Sequence, residues 1–394
     1  MAGEFSRLLR RALPPELNRE LLLSRPRNIG TEGIGFPFSA QAAAVAVTYQ
    51  RTAARALWDL YESRAYRLEP LYAELFEAVL ADTRAWAWDG ARISVLAFHP
   101  RSVEAGERQV VGTVKNALID GARARGTRLE VDAEQPDLTF HVRSYEDGEE
   151  HVLTVSIDLA GWPLHHRGYR TQSGEAPIRE DLAAALVMLS RHDSRQECLV
   201  DPMAGAGTII VEAAHMAQGK ALWTSGRAPT AASHPLLKSA FVGLGKPLFA
   251  DSKPALFAAE VDPETRAVLQ TTLETAGVLP QVTIHDGDFR EWDPALIQTQ
   301  ARQAGYESGV ILTNPPYGAR LNWTVDQLAD LYRDLGNWCS HFPGYRAGFI
   351  VGEPNEEDGV VRAHLFQDQF GGRPRITKPL RNGPLRALFM LYDL

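Results

Sequence analysis

Short apolar runs alternate with helical periodicity along the second half of the chain. The runs predict strands at residues 197–200, 255–259, 282–285, 310–313, 346–351 and 388–392. Apolar residues at helical spacing predict helices at residues 178–191, 209–218, 263–276 and 326–342. Strands that alternate with helices are typical of a parallel α/β sheet. We therefore predict an α/β domain that is interrupted by a loop-rich insertion at residues 219–254.

The first half of the chain has a different pattern. It predicts an Ala-rich helix at 40–58 capped by Ser39, a helix at 68–81, a strand at 91–98 and a helix at 107–125. Residues 137–143 and 151–159 alternate apolar and polar positions around Glu146-Asp-Gly-Glu149, which is typical of a β-hairpin. These elements form a small α+β module without a catalytic constellation, and we interpret it as either a binding module or a structural scaffold.

Length and charge limit the classes of protein that fit. The chain has 394 residues, enough for two or three domains, and its net charge of −8 argues against a uniformly basic nucleic-acid coat protein. Positive charge is concentrated at the ends: residues 1–28 hold six arginines and three glutamates, and residues 371–394 hold five cations and one aspartate. These ends are either phosphate contacts or ordinary solvated surface.

The two cysteines and the apolar content indicate a cellular compartment. Cys198 and Cys339 lie in apolar patterns and lack the spacing of a metal site or a disulfide framework, so we expect both in a core. The N-terminal arginines are not followed by the apolar segment of a signal peptide. No stretch approaches the ~18–20 uninterrupted apolar residues of a membrane helix. We expect a cytoplasmic protein with no membrane partner and no metal.

The candidate chemistry lies in Asn314, Pro315, Pro316 and Tyr317, directly after the strand at 310–313. The prolines end the strand because they lack an N–H, so Asn314 lies at the carboxyl edge, where ligands bind α/β sheets. The Asn314 side-chain oxygen and a proline carbonyl can accept the two N–H groups of an exocyclic amine, and Tyr317 can stack on the ring. The alternative is a Pro-Pro turn that only ends the strand.

A glycine turn at residues 201–208 follows the strand at 197–200. Gly205 and Gly207 let the backbone approach a ligand, but Ile210 stands where a dinucleotide-binding turn requires Gly or Ala. Asp201, which opens the turn, suits a ligand with an ammonium group. We therefore predict a nucleotide-like cofactor other than NAD.

Acidic residues also follow the next two strands. Glu260 can accept hydrogen bonds from ribose hydroxyls, and Asp288 from an adenine amino group, with Phe289 or Val261 against the ring. An acid, a glycine turn and two further acids at successive strand ends predict a site for S-adenosylmethionine. The alternative for each single acid is a helix cap or a turn residue.

The chain resembles the bacterial 23S rRNA guanine-N2 methyltransferases and the related tRNA guanine-N2 methyltransferases that carry a THUMP domain. The resemblance covers about residues 35–394 and is most specific over 165–320, whereas residues 1–38 match the family's opening poorly. The matching segments are His166-Arg-Gly-Tyr-Arg170, Ala176-Pro-Ile-Arg-Glu180, Asp201-Pro-Met-Ala-Gly-Ala-Gly-Thr208, Asn314-Pro-Pro-Tyr-Gly-Ala-Arg320 and Asn382-Gly-Pro-Leu385, and residues 109–120 resemble a THUMP helix.

The resemblance implies an architecture, a reaction and a set of site residues. It implies a class I Rossmann-like methyltransferase domain at 163–394, preceded by an α+β ferredoxin-like region at 1–65 and a THUMP RNA-binding domain at 66–162. The substrate is expected to be a guanine N2 amine of RNA, in 23S rRNA rather than tRNA, and the protein a monomer. Residues 314–317 would hold the amine, and S-adenosylmethionine would contact Tyr169, Asp201, Met203, Ala204, Gly205, Gly207, Thr208, Glu260, Val261, Asp288, Phe289 and Asn314.

Other functions share these motifs, because several substrates present a similar pair of N–H groups. A DNA adenine-N6 methyltransferase is the first alternative, and it would have to flip its base out of a duplex. A protein-glutamine methyltransferase is the second, although the basic ends and the THUMP-like module argue against it. An RNA-binding protein with an inactive methyltransferase fold is the third, although the intact set of predicted site residues argues against it.

Overall fold

The computed structural model describes residues 2–13, 27–29, 33–98, 100, 102–147, 150–170, 178–223, 227–316, 323–352, 362–382 and 385–394. The chain divides into two compact units. Unit 1 comprises residues 1–164 and 221–246, and unit 2 comprises residues 165–220 and 247–394. The chain therefore passes from one unit to the other three times.

Unit 1 is built on a five-stranded mixed sheet in the order β3–β7–β6–β4–β5. Alternate residues of β6, such as Phe140 and Val142, are buried in a core beneath two helices, α3 and α5. The elements of unit 1 are Ala2–Ala12 (α1), Arg27–Ile29 (β1), Gly33–Gly35 (β2), Ala40–Tyr49 (α2), Leu57–Ser63 (β3), Leu68–Ala81 (α3), Thr83–Trp86 (α4), Arg92–Phe98 (β4), Glu107–Ala124 (α5), Glu130–Val131 (β5), Leu138–Asp147 (β6) and Glu150–Asp158 (β7).

The predicted helix at 40–58 is wrong in its second half. Ser39 caps α2 as predicted, its side chain accepting a hydrogen bond from the Ala42 N–H, but α2 ends at Tyr49 and β3 follows. The buried Glu4 carboxylate of α1 accepts hydrogen bonds from the backbone N–H groups of Arg51 and Thr52, at 2.9 and 3.2 Å. This distant partner stabilises a non-helical turn that the local sequence does not reveal. The other predicted elements of unit 1 are confirmed within a few residues.

Unit 2 is built on a seven-stranded sheet in the order β10–β9–β8–β11–β12–β14–β13. Neighbouring strands from β10 to β12 are parallel, and the hairpin β13–β14 adds two antiparallel strands. The elements are Glu180–Leu189 (α6), Glu197–Asp201 (β8), Thr208–Gln218 (α7), Leu256–Ala259 (β9), Pro263–Ala276 (α8), Val282–His285 (β10), Pro294–Gln303 (α9), Ser308–Thr313 (β11), Val325–Cys339 (α10), Arg346–Gly352 (β12), Arg362–Phe370 (α11), Ile376–Asn382 (β13) and Leu385–Asp393 (β14).

Helices cover both faces of this sheet. One core packs α6, α7 and α8 on the sheet, and the other packs α9, α10 and α11 on the opposite face. Cys198 and Cys339 are free and buried in the second core, as predicted. Within the described ranges, no helix is long and apolar enough to span a bilayer. The predicted α/β architecture is confirmed.

Candidate active site

The predicted site residues of unit 2 follow the ends of neighbouring parallel strands. Asp201 ends β8, Glu260 follows β9, Asp288 comes three residues after β10, and Asn314 follows β11. Because β10, β9, β8 and β11 are adjacent and parallel, these residues share the carboxyl edge of the sheet. The carboxyl edge is where open α/β sheets bind ligands.

The two glycines of the turn have different roles. Gly205 and Gly207 both adopt left-handed backbone, with φ of +54° and +81°. A Cβ on Gly207 would lie 2.4 Å from Cδ1 of Leu269 in α8, whereas a Cβ on Gly205 would meet open space. Gly207 thus allows α8 to pack, and Gly205 leaves room for a ligand beside the turn.

These two roles predict different outcomes for alanine. We expect Gly207→Ala to lower the free energy of unfolding by about 2–3 kcal/mol, because backbone strain and the contact with Leu269 add. Gly205→Ala should cost about 1 kcal/mol through backbone strain alone, with a larger loss of cofactor affinity. Urea unfolding and calorimetric titration of both variants test this, and equal losses of stability would contradict the assignment.

Glu260 is held in place by the backbone on both sides. Its Oε2 accepts a hydrogen bond from the Gly205 N–H at 2.9 Å, and its Oε1 accepts one from the Asp262 N–H at 2.9 Å. The first bond ties the end of β9 to the glycine turn. Each carboxylate oxygen keeps a second lone pair, so the oriented carboxylate can still accept from a pair of ribose hydroxyls.

Asp288 is oriented by an arginine that the sequence did not indicate. Its Oδ1 accepts from the Arg290 N–H and its Oδ2 pairs with Arg290 Nη1, both at 2.9 Å. Arg290 Nε in turn donates to Asp334 of α10 at 2.7 Å. Of the two side chains predicted to face an adenine ring, Phe289 is buried against Trp338, and Val261 is 61% exposed.

Asp201 is buried next to the glycine turn. Its Oδ1 accepts a hydrogen bond from the Met203 N–H at 3.2 Å, and the side chain is only 1% exposed. Burial raises the pKa of Asp201 to about 7, and the nearby Glu260 carboxylate adds to the rise. A carboxyl group that is costly to ionise in the free protein can be stabilised as a carboxylate by a bound cation.

The basic-aromatic segment before unit 2's first helix packs against the helix that follows the glycine turn. The Tyr169 hydroxyl donates to Oε1 of Glu212 in α7 at 2.9 Å, and Arg167 pairs with the same fully buried carboxylate. Arg170 donates to Oγ1 of Thr208 at 2.9 Å. Tyr169 and Thr208 therefore support α7, and their predicted contact with a cofactor stays a prediction. A lone acid in an otherwise apolar helix was the sequence signal for Glu212.

The backbone of the turn also joins the neighbouring strand. The Ala204 N–H donates to the Ala259 carbonyl at 2.9 Å, which fixes the turn against the end of β9. The Ala204 side chain is buried in one core of the sheet, and Met203 packs on the other. The turn is thus held against the sheet by its own small and apolar residues.

Asn314 has an unused acceptor. Its side-chain oxygen Oδ1 is buried and has no hydrogen-bond partner among the residues that the structure describes. A buried carbonyl oxygen without a partner is costly, and a ligand N–H at this position would satisfy it. Pro315 is buried beside it, while Tyr317 lies outside the described residues. An acceptor in this position suits the N–H of a planar amine.

The turn after Asn314 is anchored by a residue that the sequence did not single out. The hydroxyl of Tyr332, a fully buried residue of α10, donates to the Pro316 carbonyl at 2.8 Å. The Tyr332 ring packs edge-on against Phe366 at a centroid distance of 4.9 Å. Tyr332 therefore acts on the candidate site through the backbone, as a positioning residue.

Removing the Tyr332 hydroxyl should loosen this turn without emptying the core. We expect Tyr332→Phe to cost about 1 kcal/mol of stability and to lower kcat about tenfold through misplacement of Asn314, with unchanged cofactor affinity. Tyr345→Phe is the matched control. Tyr345 directly precedes β12, and its buried hydroxyl lies near Sγ of Cys198 in β8 and not at the turn after Asn314. Equal effects of both variants on kcat would argue against a positioning role.

Comparison with known proteins finds relatives of this chain. Residues 167–352 match the family model described as the RMKL-like methyltransferase domain. The ribosomal RNA large subunit methyltransferase K/L of Legionella pneumophila is 32% identical over 288 residues, covering 70% of this chain and 36% of the relative. The enzyme of the same name from Syntrophotalea carbinolica is 30% identical over 358 residues, covering 86% and 48%. The chain thus spans less than half the length of these relatives.

Solved structures show the same fold. SMU.472, crystallised as a complex with SAH, has a TM-score of 0.72 at 20% identity, covering 99% of this chain and 95% of that one. A Listeria monocytogenes protein described as a predicted N6-adenine-specific DNA methylase has a TM-score of 0.69 at 22% identity, covering 91% and 87%. At these identities the likeness supports the fold alone. Residues 167–352 therefore match the RMKL-like methyltransferase domain, a family whose members use S-adenosylmethionine as methyl donor.

Proposed function

We propose that this chain methylates the exocyclic N2 amine of a guanine in RNA, with 23S ribosomal RNA as the substrate class. The observation that carries the proposal is the buried Oδ1 of Asn314, which has no partner among the described residues and lies at the strand edge that also holds the glycine turn and Glu260. The names of the relatives, ribosomal RNA large subunit methyltransferases, support the choice of RNA.

The chain's own residues would mainly position the amine. S-adenosylmethionine, when bound, supplies a methyl group already activated by its sulfonium charge. The guanine amine is a weak nucleophile because its lone pair is delocalised into the ring. Hydrogen bonds from its two N–H groups to Asn314 Oδ1 and the Pro315 carbonyl would localise that lone pair on nitrogen and stabilise the positive charge that develops there. Pro315 and Pro316 have no backbone N–H group that could compete with the amine for these two acceptors.

Each strand end would hold a different part of the cofactor. We infer that Glu260 binds the ribose hydroxyls, that Asp288 and the exposed Val261 contact the adenine, and that Asp201 favours the ammonium group. Gly205 would leave the space that the ligand needs beside the turn. The fit rests on the oriented Glu260 carboxylate and on the open space at Gly205.

Unit 1 would bind the RNA. We infer that it corresponds to the ferredoxin-like and THUMP regions predicted at 1–65 and 66–162. Its sheet supports a binding role, because Leu96 and Phe98 of β4 remain 44% and 42% exposed. Exposed aromatic and apolar side chains on a sheet are common contacts for unstacked bases.

Methyl transfer to nucleic acid from cells that lack this gene tests the proposal. The full chain is incubated with labelled S-adenosylmethionine and, separately, 23S rRNA, tRNA and genomic DNA, and the modified nucleosides are identified by mass spectrometry. We expect label in N2-methylguanosine of the 23S fraction. Label only in N6-methyladenine of DNA would contradict RNA as the substrate and identify DNA instead. Cofactor binding without transfer to any fraction would indicate an inactive methyltransferase fold.

A further inference from the structure

Two arginines face each other near the tip of the β13–β14 hairpin. Arg381 of β13 lies directly opposite Arg386 of β14, and the next pair toward the tip is Asn382 and Leu385. Both arginines are exposed, and neither side chain has a hydrogen bond or an ion pair within the described part of the chain. Like charges placed directly opposite each other destabilise a pair of strands. An anion bound between the two side chains would offset this repulsion.

The hairpin extends beyond the carboxyl edge of the sheet. Thr313 of β11 lies opposite Phe349 of β12, whereas the end of β12, Gly352, lies opposite Ala387 of β14. Arg386 is therefore about 10 Å farther along the strand direction than Asn314, and two strands or about 10 Å to the side. The arginine pair and the catalytic asparagine share this edge, close enough for one nucleic-acid strand to contact both.

The surroundings of the pair suit a phosphate group. A depression of about 340 Å³ at this position is lined by Pro379, Leu380 and the two arginines. Two guanidinium groups present several N–H donors in a planar arrangement that matches phosphate oxygens. Arg375, at the other end of the hairpin, is instead neutralised by Asp393 at 3.2 Å. The two facing arginines therefore add positive charge at the end of the hairpin nearest the site.

We propose that Arg381 and Arg386 jointly bind a backbone phosphate of the RNA strand that carries the target base. The inference rests on the proposed function, because it assigns a phosphate contact to the substrate of that site. It adds a second anchoring point, on unit 2 itself, to the RNA contacts expected of unit 1. The phosphate contact would fix the strand beside Asn314 but would carry no sequence information.

Salt-dependent RNA binding by the full chain tests the pair. Arg381→Gln, Arg386→Gln and the double variant are titrated with 23S rRNA fragments between 50 and 200 mM KCl. We expect the double variant to bind roughly tenfold more weakly at 100 mM and to lower the slope of log affinity against log salt by about 1–2. Affinity for SAH should stay unchanged, because the pair is proposed to contact the RNA and not the cofactor. The thermal unfolding midpoint should rise, because the repulsion between the two charges is removed.

The matched control removes the same charge at the other edge of the sheet. Arg302 is exposed in the last turn of α9, which precedes the first residue of β11. Arg302→Gln should leave RNA affinity and its salt slope unchanged. Equal slopes for the wild type and the double variant, with guanine-N2 transfer by the wild type intact, would overturn the phosphate contact alone. A lower unfolding midpoint in the double variant would also overturn it, since the arginines would then neutralise acids within the chain.

Discussion

Asn314→Ala is expected to abolish most methyl transfer while the cofactor still binds. The variant removes the buried acceptor Oδ1, which has no partner in the described part of the chain and is free to bind the target amine. Loss of one oriented hydrogen-bonding group that acts in the transition state lowers kcat by about 10²–10³-fold. Single-turnover transfer to RNA, together with titration of SAH, separates the loss of chemistry from any loss of binding.

Two further variants make this test specific. Asn314→Asp keeps an acceptor oxygen in place and should retain more activity than Asn314→Ala. Asn337→Ala, at an exposed position of α10, is the control for losing an asparagine side chain elsewhere and should behave as the wild type. If Asn314→Ala transfers methyl groups at the wild-type rate, Asn314 does not hold the amine.

Cofactor affinity is expected to depend on pH through Asp201. Burial raises the pKa of this carboxyl group to about 7, so it carries a proton in the free protein at lower pH. Binding of an ammonium group then requires release of that proton. We expect the affinity for SAH to level off above about pH 7 and to fall by up to tenfold per pH unit below it. Calorimetric titrations from pH 5.5 to 8.5, in buffers with different ionisation enthalpies, measure both the affinity and the proton release.

Asp201 should also make the stability of the free protein depend on pH. Stability should fall as pH rises, whereas the affinity for SAH should increase. Because the folded-state pKa of Asp201 lies above the usual value of 3.8, its favourable contribution is complete below pH 4 and is lost as pH rises through about 7. Asp201→Asn should therefore raise the free energy of unfolding at pH 8 by on the order of 2 kcal/mol, have little effect at pH 4, and bind SAH about 100-fold more weakly.

Asp193→Asn is the control for this pH dependence. A hydrogen bond from Arg195 lowers the pKa of Asp193, which lies in the loop before β8. Because the pKa of Asp193 is lowered, its contribution to stability is present at neutral pH and is lost as pH falls. Asp193→Asn should therefore lower the free energy of unfolding at neutral pH and leave the affinity for SAH unchanged. A pH-independent SAH affinity in the wild type would contradict the assignment of the ammonium site to Asp201.

The strand ends of the site were predictable because their signals are local. The helix predicted at 263–276 matches α8, and the Asp262 side chain before it accepts a hydrogen bond from the Thr265 N–H at 2.7 Å. The short strands predicted at 255–259 and 282–285 match β9 and β10 within one residue. Since parallel strands place their carboxyl ends together, the order of acids along the sequence was enough to predict one shared edge.

The missed features depend on contacts between distant residues. Arg290 and Asp334 are 44 positions apart, and Tyr332 contacts a carbonyl 16 positions earlier. No periodicity or spacing in the sequence signals such pairs. The helix α9 is a different case, because Asp293 and Pro294 repeat the pair Asp262 and Pro263 and mark the start of the helix in the local sequence. The end of α2 depends on Glu4, 47 positions before Arg51.

Residues 221–246, which lie within the predicted insertion, belong to unit 1 although they are inserted in the sequence of unit 2. Leu222, Leu237 and Phe241 from this segment are buried with Ala44, Val47 and Leu159 in a core of unit 1. A gene fragment that stops at residue 164 would therefore encode unit 1 without part of its own hydrophobic core. A fragment that starts at residue 165 would carry that part without the residues it packs against. Neither half can be exchanged with another protein by one crossover, so a recombined or truncated version must keep all three passages of the chain together.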